Sequence, residues 1–89
     1  MALHSVLHAL GDPTRREILN LLKKGPMPST EIADHFPISA PAITKHLNVL
    51  KEAELVRCKK EGKYQIYTLS ASVLEEVLIW ITDLKEDAP

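Results

Sequence analysis

Apolar residues in the first half of the chain recur every three or four positions. Leu3, Val6, Leu7 and Leu10 form one such stripe and stop at Gly11, which predicts a short helix with a glycine end. Asp12-Pro13 opens the next helix. Asp12 can cap it, and Pro13 suits the first helical position because its missing N–H would have had no partner there. Ile18, Leu19, Leu21 and Leu22 form its buried stripe, and Lys23, Lys24 and Gly25 sit where cations and a left-handed residue close a helix. Pro26-Met27-Pro28 reads as a break. A two-turn helix follows from Ser29 to Phe36, with Ile32, Ala33 and Phe36 inward, and Pro37 ends it.

Ser39 is placed to cap a fourth helix in which Ile43, Leu47 and Leu50 repeat at i, i+4 and i+7. With Ile43 at 0° and about 100° per residue, Leu47 and Leu50 fall within about 40° of it, while Pro41, Lys45 and Asn48 fall at about 140° to 200°. A short helix, the turn Pro37-Ile38-Ser39 and a longer helix with an exposed polar face make a helix-turn-helix arrangement. A generic helical pair would share this periodicity.

After Leu55 the period changes to two. Val56–Cys58 and Tyr64–Leu69 read as strands joined by Lys59-Lys60-Glu61-Gly62-Lys63, a β-hairpin with a basic tip. A hairpin directly after a helix-turn-helix is the winged variant. Ser72-Val73-Leu74-Glu75 reads as a capping box opening the last helix. In that helix Val73, Leu74, Val77, Leu78, Ile79, Trp80, Ile81 and Leu84 surround most of the circumference. Two buried surfaces are therefore needed, and the second is expected from another copy of the chain. The expected fold class is mainly α with a small β-hairpin, a winged helix-turn-helix that forms a homodimer.

Length limits the alternatives. A chain of 89 residues can bury about 64 % of its unfolded surface, enough for one small core and a single domain over residues 1–89, but not for a separate cofactor-binding half. The longest apolar run, Val77 to Ile81, falls far short of a membrane span, and no signal pattern opens the chain. A soluble cytoplasmic protein is expected. The single cysteine, Cys58, excludes an intramolecular disulfide and a four-cysteine zinc site.

The net charge of −1 argues against a polyanionic partner only while it is read as a total. Residues 1–38 are neutral. Residues 39–63 carry six cations against three carboxylates, a net +3, and residues 64–89 carry one cation against five carboxylates, a net −4. One surface is thus suited to an anion and another is not.

In combination, several strings resemble the ArsR-type winged helix-turn-helix repressors. Ala9-Leu10-Gly11-Asp12-Pro13-Thr14-Arg15-Arg16 with Ile18-Leu19 resembles the family's opening, and Glu31-Ile32-Ala33 its first helix-turn-helix element. Thr44-Lys45-His46-Leu47 with Val49-Leu50 resembles the recognition helix, and Gly62-Lys63 with Tyr67 and Leu69 the wing. The resemblance covers about residues 3 to 82. Within the family, His35-Phe36, Glu54 and Trp80 resemble the metal-independent autorepressors of the SdpR type. The resemblance implies a homodimer joined through its first and last helices, with residues 39–48 of each protomer in a major groove. Two family metal sites do not carry over: the helix before the turn has no cysteine, and no histidine lies beyond His46. Glu54 stands where the family usually has glycine.

The candidate residues follow. Lys45 and Thr44 are the base-reading candidates, with Ala40, Pro41 and Asn48 near the groove. Lysine donates to guanine, and alanine or a threonine methyl contacts thymine. Ser39 and His46 are candidates for phosphate, as are Lys59, Lys60 and Lys63 of the wing and, at the start of the second helix, Arg15 and Arg16. The expected dimer interface comprises Leu3, Leu7, Val77, Trp80, Ile81 and Leu84. The expected partner is a double-stranded DNA operator, with no membrane insertion, no cofactor and room for an unknown effector or partner protein. No pattern of nucleophile with base, phosphate-binding glycine loop or carboxylate pair indicates an enzyme. Two rivals stand beside this reading. One is a winged-helix protein-interaction module that never touches DNA, which the basic hairpin disfavours. The other is a metal-sensing repressor using His4 and His8, which share a helix face at i, i+4. Cys58, flanked by Arg57, Lys59 and Lys60, could serve as a redox-sensitive thiol.

Overall fold

The structure, a computed structural model, describes residues 2–87; Met1, Ala88 and Pro89, at the ends of the expected 1–89 domain, lie outside the described residues. In chain order the elements are α1 (Leu3–Leu10), α2 (Pro13–Leu22), β1 (Met27–Pro28), α3 (Ser29–Asp34), α4 (Ala40–Glu52), β2 (Val56–Glu61), β3 (Tyr64–Leu69) and α5 (Ser72–Asp87). Their boundaries have local causes. Asp12 Oδ2 accepts from the Arg15 backbone N–H at 3.0 Å with Pro13 at the first helical position, and Ser39 Oγ accepts from Ala42 N–H at 3.2 Å.

Each helix buries part of the stripe that periodicity assigns it: α1 buries Val6 and, outside the stripe, Ala9, while Leu7 stays exposed, and of the stripe on α3 only Ile32 is buried. Val6, Ala9, Ile18, Leu22, Ile32, Ile43, Leu47 and Leu50 are almost fully enclosed, and Leu55, Val56, Tyr67, Val73 and Val77 close the core from the other side. Helix α4 is central, in contact with α1, α2, α3 and β2. Burial, with Cys58 beside it, pushes the Tyr67 hydroxyl up to about 12, so the ring enters the core uncharged.

Four local readings are corrected. Met27-Pro28 is not merely a break: it is an edge strand paired antiparallel with β3, Met27 opposite Tyr67 and Pro28 opposite Ile66, giving the sheet order β1-β3-β2. Two residues are too few to show a period, and a proline, lacking an N–H, is tolerated only at such an edge. Helix α3 ends at Asp34 because the N–H groups of His35 and Phe36 turn back three residues, to Ile32 and Ala33.

The hairpin has no five-residue loop either. Strand β2 runs through Lys59, Lys60 and Glu61, and only Gly62-Lys63 forms the turn, with Gly62 at φ 59°, as a two-residue turn with glycine first requires. Charged residues on a projecting ribbon show no apolar alternation, which is why pattern alone ends the strand early. Finally, α5 begins at Ser72, so Ala71 rather than Ser72 precedes it. The Glu75 N–H donates to the Ala71 carbonyl at 2.9 Å, and the predicted capping box is not formed.

Glu54 carries the chain out of α4. The Leu55 N–H bonds to the Leu50 carbonyl and the Glu54 N–H to the Lys51 carbonyl, both at 3.0 Å, the paired bonds of a left-handed helix end, and Glu54 has φ 62°. A side chain with a Cβ is strained there. Glu54→Gly is expected to stabilise the protein by about 0.5–1 kcal/mol. Urea unfolding with an unchanged slope but a higher midpoint would bear this out, whereas an equal or lower midpoint would contradict it.

Candidate nucleic-acid interface

Burial of Ile43, Leu47 and Leu50 turns the opposite side of α4 to solvent. Ser39, Ala40, Pro41, Thr44, Lys45 and Asn48 are all exposed along it, and His46 lies half-buried at its flank. Two of these side chains are partly committed. The Thr44 hydroxyl donates to the Ala40 carbonyl at 3.1 Å, which spends its proton within the helix. The Ser39 hydroxyl oxygen caps the helix but keeps its own proton for another acceptor.

A polar cluster fixes that flank of α4 to the α1–α2 junction. Arg15 donates from Nε to the Ala9 carbonyl at 2.8 Å and from Nη2 to the His8 carbonyl at 2.9 Å, and its Nη1 lies 3.2 Å from His46 Nδ1. Arg16 Nη1 donates to the Leu10 carbonyl at 2.7 Å. The two guanidiniums therefore satisfy the Ala9 and Leu10 carbonyls that the end of α1 leaves open, share the His8 carbonyl with the Gly11 N–H, and place positive charge at the helix's negative pole. Both side chains are thereby partly committed within the protein, Arg15 through three of its donors and Arg16 through one. Because Arg15 can only donate, His46 Nδ1 accepts and the ring's remaining proton sits on Nε2. Asp12 Oδ2 is 3.9 Å from the same Nδ1, too far for a hydrogen bond, so the Arg15 contact decides the tautomer. The Asp12 carboxyl is held below its ordinary range, first by the backbone N–H of Arg15 and further by the charge of the Arg15 guanidinium.

On the hairpin, Lys59 lies opposite Ile66 and Lys60 opposite Gln65. As neighbours in a strand, these two lysines project from opposite faces of the ribbon. Lys63 lies in the turn, its ammonium 5.4 Å from the centroid of the Tyr64 ring.

The expected dimer residues divide into three groups. Leu7, Trp80, Ile81 and Leu84 are exposed, Leu3 is half-buried, and Val77 is 5 % exposed, already spent in the protomer's own core. Leu78 and Ile79, outside the expected interface set, are the most exposed of the large apolar side chains, at 64 % and 62 %. The apolar run 77–81 contains them, and only the buried side of α5 was needed to sort them outward.

The rival features are placed too. His4 and His8 line a groove of about 270 Å³ with Ser5, Val49 and Glu52, yet no group of three metal-ligating side chains among the described residues could hold an ion. The Cys58 thiol donates to Gln65 Oε1 at 2.9 Å. No helix among the described residues is long and apolar enough to cross a membrane.

Comparison with known proteins bears on the whole arrangement. Residues 12–57 match the family described as bacterial regulatory protein, arsR family. The transcriptional repressor SdpR of Bacillus subtilis strain 168 is 44 % identical over 79 residues, covering 89 % of this chain and 88 % of that protein. An ArsR-like transcriptional regulator from Rhodococcus sp. RHA1 superposes with a TM-score of 0.90 at 33 % identity, over 96 % of this chain and 78 % of the other. The homodimeric winged helix-turn-helix DNA-binding domain of a Mycobacterium bovis protein superposes at 0.76 with 25 % identity, over 98 % and 82 %.

The Asp12 cap yields a test with a defined sign. Its depressed carboxyl contributes stability above the ordinary carboxylate range and loses it as pH falls through the lowered value. Asp12→Ala is expected to cost about 1 kcal/mol at neutral pH, while Asp12→Asn keeps the cap. Relative to the parent protein, the asparagine variant should lose less stability between neutral pH and about pH 3. An identical acid limb in urea titrations of parent and Asp12→Asn would contradict the assignment.

Proposed function

The chain belongs to the arsR family of bacterial regulatory proteins, and on that footing we propose that it is a DNA-binding transcriptional repressor of the cytoplasm. It acts as a homodimer on an inverted-repeat operator, one controlling its own operon. The observation that carries the proposal is the exposed face of α4, six residues from Ser39 to Asn48 held outward by the burial of Ile43, Leu47 and Leu50. A helix so anchored can enter a major groove as a rigid body. The relative named a transcriptional repressor and the homodimeric DNA-binding domain support the same reading.

In this reading Lys45 donates to guanine, the Thr44 methyl and Ala40 contact thymine, and Pro41 and Asn48 line the groove. Ser39 and the Nε2–H of His46 donate to phosphates beside the helix. The wing contributes Lys63 and, from whichever face of the ribbon meets the backbone, Lys59 or Lys60. Arg15 acts indirectly, holding the His46 ring. Repression is by occupancy of the promoter and involves no chemistry.

The second protomer is supported by surface arithmetic. The chain exposes 6023 Å², whereas a monomer of 10.0 kDa is expected to expose about 5,200 Å². The excess of about 800 Å² shows a surface larger than that of a compact monomer of this mass. It is consistent with Leu78, Ile79, Trp80, Ile81 and Leu84 on α5 meeting their counterparts, with Leu7 and the rim of Leu3 from α1. A two-fold dimer reads a two-fold site, hence the inverted repeat. The acidic last helix then lies on the dimer side, away from the phosphates.

Two measurements test the proposal. With the two wing lysines of each protomer neutralising about four phosphates per dimer, log K should fall against log salt with a slope of about −4, and a slope near zero would refute DNA binding. Lys45→Ala should cost about 1–3 kcal/mol at the operator and relax its preference at one position, whereas Lys63→Ala should weaken operator and random DNA alike. Equal effects of both variants on both DNAs would remove Lys45 from the base readers.

A further inference from the structure

A cavity of about 520 Å³ opens where the end of α4, the start of β2 and the β3–α5 junction meet, and it shares no residue with the face of α4 or the apolar face of α5. Its wall brings together Lys51, Arg57, Glu54, Ser70 and Ser72 with Val56, Cys58 and Val73. The chemistry of that wall is unusual for an otherwise structural corner. Ser70 is 8 % exposed and its backbone N–H is tied to the Leu55 carbonyl at 2.9 Å, yet its hydroxyl makes no hydrogen bond to any described side chain or backbone group. No fully enclosed side-chain oxygen or nitrogen among the described residues lacks a partner, so that hydroxyl keeps some contact with solvent, and Ser70 is one of the residues lining the cavity.

Three further features point to the same ligand. Ala71 precedes α5, so no side chain caps the first N–H groups of a 16-residue helix, and Ser72 stands beside them in the cavity wall. Neither Lys51 nor Arg57 forms an ion pair among the described residues, although Glu54 shares the cavity with both. Two cations against one carboxylate leave a net charge of +1, which a monoanion balances and a dianion exceeds. Val56 and Val73, almost wholly buried at 2 % and 6 % exposed, close the floor of the same wall, and the volume lies within the range of small-molecule sites.

We propose that this cavity binds a small organic monocarboxylate, with the carboxylate taken by Arg57, Lys51 and the Ser70 and Ser72 hydroxyls and the apolar part resting on Val56 and Val73. The Cys58 thiol, already engaged with Gln65, takes no part. The site joins the end of the α4 helix, the root of the hairpin and the root of α5. The proposal stands independently of DNA binding.

The test is a titration of the full-length, isotope-labelled protein with hexanoate, hexanol and inorganic phosphate at constant ionic strength, followed by amide NMR. Hexanoate is expected to give saturable shifts at the amides of residues 56–58 and 70–73, with half-saturation at or below about 1 mM and about tenfold tighter than hexanol or phosphate. Arg57→Gln and Ser70→Ala, each retaining a folded spectrum, should weaken hexanoate about tenfold and several-fold respectively. Shifts that do not saturate, saturation elsewhere on the protein, equal affinity for phosphate, or an undiminished response in Arg57→Gln would each overturn the assignment.

Discussion

Packing of Ile43, Leu47 and Leu50 into the centre of the fold fixes nearly everything else. These three side chains are at most 1 % exposed, and through them α4 is held against α1, α2, α3 and β2 at once. A helix gripped on four sides cannot roll. Its outward residues are therefore presented as a fixed constellation, so recognition need not first order the reading head. The Arg15 fork strengthens the same constraint from the side, because one guanidinium closes the end of α1 and holds the His46 ring of α4. Removing Arg15 would leave carbonyls at the end of α1 open and release the ring together, coupling a stability defect to an orientation defect.

The same economy of core explains the molecule's shape. Among the described side chains of α5 only Val73 and Val77 are deeply buried, and the helix continues past them. The protein measures 52 × 25 × 22 Å with a radius of gyration of 14.2 Å, against about 12 Å for a compact domain of this length. A projecting helix that keeps Leu78, Ile79, Trp80, Ile81 and Leu84 in water is costly unless a second surface covers it. Dimerisation and DNA recognition thus use opposite consequences of one limit: the core spends its apolar area on α4 and leaves α5 to a partner.

Much of this was legible in the residues because it rests on local rules. The caps at Asp12 and Ser39, the stripe on α4 and the polar face opposite it follow from a 3.6-residue period and side-chain chemistry alone. The left-handed Glu54 was visible only through the family's usual glycine. What was not legible depended on tertiary placement. That Arg15 and Arg16 also bond carbonyls at the end of α1 shows only once the two helices are placed. Lys59 and Lys60 read as one basic tip until strand pairing put them on opposite faces. Ser72 read as a cap until the helix began one residue early, and with Ser70 it lines a cavity no motif announces.

The central claim is that the uncovered face of α5 makes two chains the working unit. Sedimentation equilibrium of the purified protein at micromolar concentration tests it most directly, with Ile81→Asp as the companion variant. The account predicts a mass about twice the 10.0 kDa of the chain and a variant that is monomeric yet retains its helical spectrum. A parent protein that sediments as a monomer, or an Ile81→Asp variant that remains a dimer, would contradict it.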